Sequence, residues 1–500
     1  MTILTLASKG LGFLREMVIA YYYGASYITD SYVMANAIPG IIFGGIFGAI
    51  ATAYMPLYAK FVEQDGEIAG NRFTSESVNL LLVVSVVSSI VGIVFSDQLV
   101  AIFASGFTGE TARLTSFFVK VTFTYTAFTS IAGILEAYLQ YKGSFLPAIA
   151  VGYLQNGCII AVVVISSYIS HYYLAFGLLL GYISRLAVMW YVSHRKQYHY
   201  TPEFHFGNTS RTMMAMALPV FLGSTVGQIN QLVDRTMASG LREGSISALN
   251  YSAIITGMIV SLTVGILTTL IYPKLTQASA LEDQERFNYI ISMGMNLTVL
   301  IGLPFTLGTM AYSEQVAQII YERGAFDVNA TAMTGSALFY YGAGLLFSAI
   351  AGLLVRVYYS MGNTKTPTIL GALCIVVNIV FILLLINPMA HNGLALSTSI
   401  AGIVNTVLLY WGLRRYYPHV VLISSPRKLV QITIASGVSV GVSLLCYRLL
   451  ILPMAANLAG PLASRTLHLT LAVAVAGVLY LALLALFRVE ELQLLRHLKK

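Results

Sequence analysis

"PTILGALCIVVNIVFILLLIN" (residues 367–387) decides the fold class of this chain. The stretch contains no Asp, Glu, Lys or Arg. As an α-helix with a rise of 1.5 Å per residue, it is about 30 Å long, which is the thickness of the hydrocarbon core of a bilayer. Comparable apolar runs recur along the whole chain of 500 residues, whereas the strands of a membrane β-barrel would alternate apolar and polar residues. We therefore predict an all-α polytopic membrane protein.

The composition excludes an ordinary soluble protein, because apolar types make up 57% of the residues and charged types only 10%, against about a quarter charged in soluble domains. The three cysteines, Cys158, Cys374 and Cys446, lie in apolar runs, as small core residues do. The sequence shows neither the His and Cys spacing of a metal site nor a nucleophile beside a base. These patterns predict no bound cofactor and favour a transporter over an enzyme. The N-terminus lacks the pattern of a cleaved signal peptide, so we expect the first apolar segment to stay as a helix.

The apolar runs, separated by Gly, Pro and charged residues, predict about fourteen transmembrane helices. Their approximate spans are 2–22, 29–59, 76–96, 115–140, 145–168, 172–193, 212–234, 247–272, 288–312, 331–355, 367–387, 392–413, 429–447 and 466–487. An even number places both termini on the same side of the membrane.

The distribution of basic residues predicts which side that is. Eighteen of the 28 Lys and Arg residues fall in the loops and tail on the side of the C-terminus. Six fall in the opposite loops: Arg113, Arg235, Arg242, Arg323, Arg448 and Arg465. We therefore expect both termini, including the tail 488–500, in the cytoplasm. This bias explains most of the net charge of +8 without a nucleic-acid partner.

An internal repeat divides the chain. "GILEAYLQYKG" (133–143) resembles "GLLVRVYYSMG" (352–362), and "TAYMPLYAK" (52–60) resembles "TLIYPKLTQ" (269–277). The two shifts, 219 and 217 residues, are nearly equal, which indicates a duplicated half. We predict an N-terminal lobe at 1–195, a C-terminal lobe at 211–415, and two further helices at 427–487. Transport sites tend to lie between such halves.

Charged residues in the first helix need a partner, a cavity or a ligand, because a charge inside the membrane costs roughly 2.5–3.5 kcal/mol. Lys9, Arg15 and Glu16 lie there. Lys9 and Arg15 could face a cavity and bind an anionic substrate, since arginine suits bidentate phosphate contact. Alternatively, Arg15 pairs with Glu16 or Glu136, and Lys9 extends to the membrane edge.

Two other groups of residues in the membrane segments are candidates for a function. Gly40, Gly44 and Gly48 recur every four residues in helix 2, which favours close helix packing, with movement of this helix as a gate. Asp234, Asn378 and Thr398 would supply oxygen ligands for Na⁺ if the bundle brings them together. Pairing of Asp234 with Arg235, and helix bridging or capping by the other two residues, are the alternatives.

Several stretches resemble the MurJ/MviN family of lipid II flippases. They occur in the family's order from residue 4 to about 415: "SKGLGFLREMVIA" (8–20), "YITDSYVMANAIP" (27–39), 217–251, "YERGAFDVNAT" (321–331), "YYSMGNTKTP" (358–367) and "HNGLALSTSIAGIVN" (391–405). The resemblance implies two six-helix lobes around a central cavity plus two C-terminal helices, as in the multidrug/oligosaccharidyl-lipid/polysaccharide exporter superfamily. It implies movement of lipid II to the outer leaflet by alternating access in a bacterial cell membrane, for peptidoglycan synthesis.

The resemblance also implies roles for residues. Arg15, with Lys9 behind it, matches a cation position of the family, Asp30 matches a residue expected to assist gating by pairing across the lobes, and the pattern of Asp234, Asn378 and Thr398 implies sodium coupling. This chain departs from the family at the other cation positions, which hold Tyr21, Phe43, Gly44, Ala253 and Ile254. Ile382 also stands where some members have a carboxylate.

Three alternatives stay open at this point. The chain could carry another lipid-linked saccharide of the capsule, exopolysaccharide or teichuronic type. It could be a cation-coupled multidrug exporter, which would not need the arginine. It could also be a membrane scaffold for cell-wall synthases, which are in any case candidate partners. An Arg15→Ala substitution separates these classes, because a scaffold would tolerate it.

Overall fold

The computed structural model describes residues 2–202, 208–281, 283–418, 426–451 and 461–489. Every regular element in this part of the chain is helical. Most of the predicted tail 488–500 lies outside the described residues.

Seventeen α-helices follow one another in the described segments. They are α1 (Thr2–Tyr23), α2 (Tyr27–Val94), α3 (Ser96–Phe103), α4 (Gly109–Tyr141), α5 (Leu146–Ile169), α6 (Leu174–Arg195), α7 (Asn208–Ser239), α8 (Ser245–Leu270), α9 (Tyr272–Ala280), α10 (Gln284–Ala311), α11 (Ser313–Tyr321), α12 (Val328–Ala343), α13 (Leu345–Ser360), α14 (Lys365–Met389), α15 (His391–Tyr416), α16 (Pro426–Cys446) and α17 (Pro461–Leu486). A 3₁₀ turn (His171–Tyr173) precedes α6, and a π-turn (Tyr447–Ile451) follows α16.

The chain forms two compact units. The first unit contains the residues up to Ser247 together with Arg323–Asp327, and the second contains Ala248–Glu322 and the chain from Val328 onward. The first unit therefore includes α1–α7 and the first turn of α8. The predicted lobe boundaries of 1–195 and 211–415 stay a prediction.

The first unit is built around α2, which is two helices joined at a turn. Gly66 has φ +82° and ψ 179°, outside helical values, and glycine adopts this conformation without steric cost. Beyond the turn the two halves pack together: the rings of Tyr54 and Phe73 stack with centroids 5.4 Å apart, and Tyr54 Oη lies 2.7 Å from Thr74 Oγ1. Two predicted spans, 29–59 and 76–96, thus lie in this one element.

The second unit is centred on α10, α13, α15 and α16, whose buried residues form one apolar core. Here one predicted span, 331–355, consists of α12 and α13, which meet at Gly344 with a bend of 46°. The bend leaves carbonyl groups of α12 without helical partners, and Ser399 Oγ of α15 donates to one of them, Tyr340 O, at 2.7 Å. A hydroxyl from a neighbouring helix is one of the groups that allow such breaks inside a membrane.

The fold class predicted from the sequence is confirmed. Within the described residues, ten helices are long and apolar enough to cross a membrane, or eleven if α12 and α13 count as one span. Each of the fourteen predicted spans coincides with helical chain, with α2 accounting for two and α12–α13 for one.

The predicted repeat has a local structural counterpart. Gly143 and Gly362, the last residues of the two similar stretches, follow the ends of α4 and α13 with φ +70° and +72°. The next amide donates back into each helix: Ser144 N to Leu139 O at 2.8 Å and Asn363 N to Tyr358 O at 3.0 Å. Both helices thus end in the same left-handed glycine cap.

Candidate functional site

Arg15 on α1 forms a polar cluster inside the first unit. Its Nε and Nη2 atoms donate to Glu16 Oε1 at 3.1 and 2.5 Å, and its Nη1 atom donates to Asn156 Oδ1 of α5 at 3.2 Å. The Arg15 side chain is 26% exposed and the Glu16 side chain 13%. We call these three residues the Arg15 site. The ion pair with Glu16, one of the two alternatives from the sequence, is present, while about a quarter of the Arg15 side chain stays accessible.

Small residues bring α1 and α5 together at this site. A Cβ atom built on Gly152 of α5 would lie 2.3 Å from Ser8 Oγ, and one on Gly12 of α1 would lie 3.9 Å from the Asn156 amide. Asn156 Nδ2 donates to Gly152 O at 2.8 Å. Because this bond fixes the orientation of the amide, Asn156 Oδ1 points toward Arg15 and positions the guanidinium.

Tyrosine and asparagine side chains border the Arg15 site. Tyr32 and Tyr182 lie near Arg15. The rings of Tyr182 and Tyr125 stack with centroids 4.4 Å apart, and Tyr125 Oη donates to Asn36 Oδ1 at 3.4 Å. The arrangement therefore combines a cation with aromatic faces and amide groups.

Lys9, the second predicted cation, is exposed near the start of α1. It lies seven residues before Glu16, which is roughly 10 Å along the helix axis. The structure places it about two turns from the Arg15 site.

A second ion pair in the first unit resembles the Arg15–Glu16 pair. Arg185 Nη2 of α6 donates to Glu136 Oε2 of α4 at 2.6 Å, and the two side chains are 27% and 25% exposed. Glu136 is thus the partner of Arg185, and the sequence-based alternative of an Arg15–Glu136 pair is wrong.

Asp30 is buried at the start of α2, with 3% of the residue exposed. Its carboxylate accepts three hydrogen bonds from the start of α8: Gly244 N at 2.7 Å, Ser247 N at 2.7 Å and Ser247 Oγ at 2.5 Å. In return, Glu243 Oε1 accepts from Tyr27 N at the start of α2 at 2.9 Å. Two helices therefore cap each other's N-termini with carboxylates, which satisfy amides that the helices leave without partners.

Four loop segments of the first unit, 24–26, 104–108, 239–245 and 323–327, pack around this reciprocal cap; we call them the loop cluster. Ala325 N donates to Tyr21 O at 2.8 Å. Gly24 and Gly324 have φ +62° and +59°, and a Cβ atom on either would lie within 2.5 Å of a carbonyl oxygen of the facing segment. Glycine is therefore required twice in this cluster, for its backbone conformation and for the close approach.

The three glycines predicted to assist gating lie in α2. Gly40 and Gly48 are exposed, and no described atom lies within 4 Å of a Cβ built on either of them. The surroundings of Gly44 lie outside the described residues. Their gating role stays a prediction.

The structure places the three predicted sodium ligands on three helices. Asp234 lies on α7 in the first unit, whereas Asn378 on α14 and Thr398 on α15 lie in the second. Asn378 is 1% exposed, and Thr398 Oγ1 donates to Leu394 O within its own helix at 3.0 Å. The sodium site stays a prediction.

An apolar groove of about 490 Å³ lies in the second unit along α10, α16 and α17. Two tyrosines line it, and their hydroxyls have partners: Tyr480 Oη donates to Leu300 O at 2.7 Å, and Tyr312 Oη lies 2.7 Å from Ser443 Oγ. Because the polar ends of both tyrosines are hydrogen-bonded, the groove offers a hydrocarbon surface, to which Phe305 and Val473 also contribute.

Sequence reasoning missed Asn156, Glu243 and Ser247. The stretch "LREGSISAL" (241–249) carries a recognisable signal, because acidic and hydroxyl residues precede an apolar run as they do at a helix N-terminus. Asn156 has no such signal. The hydrogen-bond partner of an amide in an apolar helix depends on which helix packs against it, and the sequence does not show this.

The chain is similar to a family of known proteins over nearly its whole length. A family model described as lipid II flippase MurJ matches residues 19–486. A probable lipid II flippase MurJ of Rhizobium meliloti (strain 1021) is 27% identical over 505 residues, covering 96% of this chain and 91% of that protein. A lipid II flippase MurJ of Burkholderia cenocepacia is 26% identical, covering 82% of each chain.

Solved structures show the same fold. The structure titled "Lipid II flippase MurJ, inward closed conformation" has a TM-score of 0.82 and 24% identity, covering 97% of this chain and 98% of that one. An inward-facing multidrug resistance MATE transporter of the MOP superfamily has a TM-score of 0.68 and 17% identity, covering 83% and 97%. At these identities the likeness concerns the fold alone.

Proposed function

The chain belongs to the lipid II flippase MurJ family, and from that premise we propose that it flips lipid II from the cytoplasmic to the outer leaflet by alternating access. The observation that carries the proposal is the family match over residues 19–486. The family favours this reading over a multidrug exporter or another saccharide carrier. The protein is a multi-pass membrane transporter and not an enzyme.

We assign the pyrophosphate of lipid II to Arg15. A dianionic headgroup inside a membrane protein needs a cation, and the planar guanidinium fork suits phosphate oxygens. The other cation positions implied by the family resemblance hold uncharged residues in this chain. The partial exposure of Arg15 in the first unit supports this assignment, with Lys9 as a second cation on the same helix.

The groove along α10, α16 and α17 suits the polyprenyl tail. A long hydrocarbon chain is more stable in apolar surroundings than in water. This groove has almost no accessible polar atom. We propose that the tail occupies this groove of the second unit.

Asp30 would act as a gate residue because it binds the start of α8. Its three hydrogen bonds hold residues 244–247, so a conformational change in the loop cluster requires their release. Gly40, Gly44 and Gly48 would allow α2 to move during that change.

The orientation belongs to the same proposal. The eighteen basic residues on the C-terminal side support cytoplasmic termini, so the loop cluster would lie on the outer side. A cell-wall synthase that uses lipid II on that side is the partner we would expect.

Complementation tests the function. We would express the full chain, and separately its Arg15→Ala variant, in a bacterium whose own lipid II flippase can be shut off, and measure growth and outer-leaflet lipid II. We expect the parent to rescue growth and the Arg15→Ala variant to fail at equal membrane abundance, because the variant lacks the cation that binds the pyrophosphate.

Arg185→Ala is the matched control, since it breaks the Arg185–Glu136 ion pair without removing a proposed substrate contact. It should keep most of the rescue. Failure of a well-expressed parent would reject lipid II as the substrate in favour of another lipid-linked saccharide. Rescue by Arg15→Ala would reject the assigned role of Arg15.

A further inference from the structure

The guanidinium that we assign to the substrate already holds an anion. Both Nε and Nη2 of Arg15 donate to the same oxygen of Glu16, and Nη1 donates to Asn156. Arginine has five N–H groups, so these contacts use three of them. One N–H on each Nη has no partner among the described residues.

Substrate and Glu16 therefore compete for Arg15. A phosphate group seated on the two remaining N–H groups would lie a few ångströms from the Glu16 carboxylate. Like charges at that distance repel strongly in a partly dry site. With uncharged residues at the other implied cation positions, the Arg15–Glu16 pair on its own presents no net positive charge to an incoming anion.

The remaining contacts of the site support an exchange of anions rather than a movement of Arg15. Asn156 is held by its own bond to Gly152 O at 2.8 Å, and it fixes Nη1 from α5. Glu16 neighbours Arg15 on one helix, and among the described residues its carboxylate accepts hydrogen bonds from the guanidinium alone. Arg15 can thus stay in place while the Glu16 side chain turns away.

We propose that Glu16 is an exchangeable counterion: its carboxylate neutralises Arg15 beside the N–H groups that the substrate's pyrophosphate takes, turns away when the substrate binds, and returns to displace it. Glu16 is then a positioning residue that sets affinity and release. The proposal rests on the function proposed above, and it adds a reason why a single arginine can both bind and release a pyrophosphate.

The test measures binding of farnesyl pyrophosphate, a soluble prenyl pyrophosphate, to the purified full-length chain in detergent. The variants are Glu16→Gln, Glu16→Asp, Glu136→Gln and Arg15→Ala. Glutamine keeps the shape of Glu16 and an oxygen acceptor for Arg15 but removes the charge. Glu136→Gln makes the same chemical change in the Arg185–Glu136 ion pair, which is also partly exposed.

We expect Glu16→Gln to lower the Kd by roughly tenfold, because the competing charge is gone. Glu16→Asp, with a shorter side chain, should lower the Kd less, and it keeps the test valid if the Gln variant folds poorly. Glu136→Gln should leave the Kd unchanged. In proteoliposomes that report flipping of lipid II, Glu16→Gln should lower both KM and the maximal rate, since the substrate is released more slowly.

Two failures can be told apart. If the parent binds the probe in an Arg15-dependent way but Glu16→Gln binds equally or more weakly, the counterion role is overturned and the proposed function stands. If the parent shows no Arg15-dependent binding at all, the pyrophosphate site is overturned, and the counterion role with it. An equal decrease in Kd for Glu136→Gln would also overturn the proposal, because the effect would then be general charge removal.

Discussion

At the residue scale, two carboxylates in this protein, the buried Asp30 and the exposed Glu243, serve as anions for helix N-termini. Asp30 satisfies three donors at the start of α8, and Glu243 satisfies one at the start of α2. Hydrogen bonds of this kind contribute more than neutral ones, since the acceptor is charged. They also explain why an acidic residue is tolerated with 3% exposure.

The Asp30 contacts lead to a prediction. Asp30→Asn replaces one acceptor oxygen by an NH₂ group that faces donors, so we expect a loss of about 1–3 kcal/mol in the local stability of residues 244–250. Hydrogen exchange of these amides, followed by mass spectrometry, measures the change as faster exchange.

Asp283→Asn is the control for this prediction, because Asp283 is an exposed N-cap of α10 that accepts a single amide bond, from Arg286 N at 3.0 Å. Asp283→Asn should lower the stability of the protein less than Asp30→Asn does. It should leave hydrogen exchange at residues 244–250 unaltered. Unchanged exchange there in the Asp30→Asn variant would show that the reciprocal cap does not hold this segment.

At the scale of elements, the break between α12 and α13 is the feature that helix patterns did not predict. The apolar run 331–355 is continuous in sequence, and the sequence therefore predicted one helix. The bend occurs at Gly344 because α15 lies so close that only a glycine fits: a Cβ there would lie 2.9 Å from Ser399 Cα and 2.8 Å from Ser399 Oγ.

The close approach at Gly344 predicts that a larger residue there lowers the stability of the protein. Gly344→Ala should destabilise the protein by about 1–3 kcal/mol, since the added methyl group forces α15 away. Gly371→Ala is the matched control: Gly371 lies inside α14 with no described atom within 4 Å of its Cβ position, and alanine should there stabilise by up to about 1 kcal/mol. The midpoint of thermal unfolding in detergent should fall for Gly344→Ala and rise for Gly371→Ala. Equal shifts in the two variants would reject the steric explanation.

At the scale of the whole molecule, the remaining question is what drives transport. Asp234, Asn378 and Thr398 provide a carboxylate, an amide and a hydroxyl, which are oxygen ligands of the kind that hard cations prefer. Because of this chemistry, we propose that transport is coupled to sodium. If it operates, flipping in proteoliposomes should slow by about fivefold or more when K⁺ replaces Na⁺, in the range of typical coupling between sites.

Asp234→Asn distinguishes coupling from a general salt effect, because it removes the one carboxylate among the three ligands predicted from the sequence. The variant should be slow in both salts and show no difference between them. Equal rates of the parent in Na⁺ and K⁺ would contradict sodium coupling.

The sequence by itself determined that this protein is a bundle of membrane-spanning helices, because runs such as 367–387 have no stable place except a lipid bilayer. It also indicated two similar helix ends, whose glycine caps at Gly143 and Gly362 depend on local backbone chemistry. The family resemblance located Arg15 and Asp30 for the same reason, since motifs are local in sequence.

Only the tertiary structure decided which charges pair. Arg15 binds Glu16 and Asn156, Arg185 binds Glu136, and Asp30 caps α8. These partners are up to 217 residues apart, and helical periodicity shows which face a residue occupies but not which helix packs against it. The physical reason is that the Arg15–Asn156 bond, the Arg185–Glu136 pair and the Asp30 cap form between elements, so their energies depend on packing that no single segment contains.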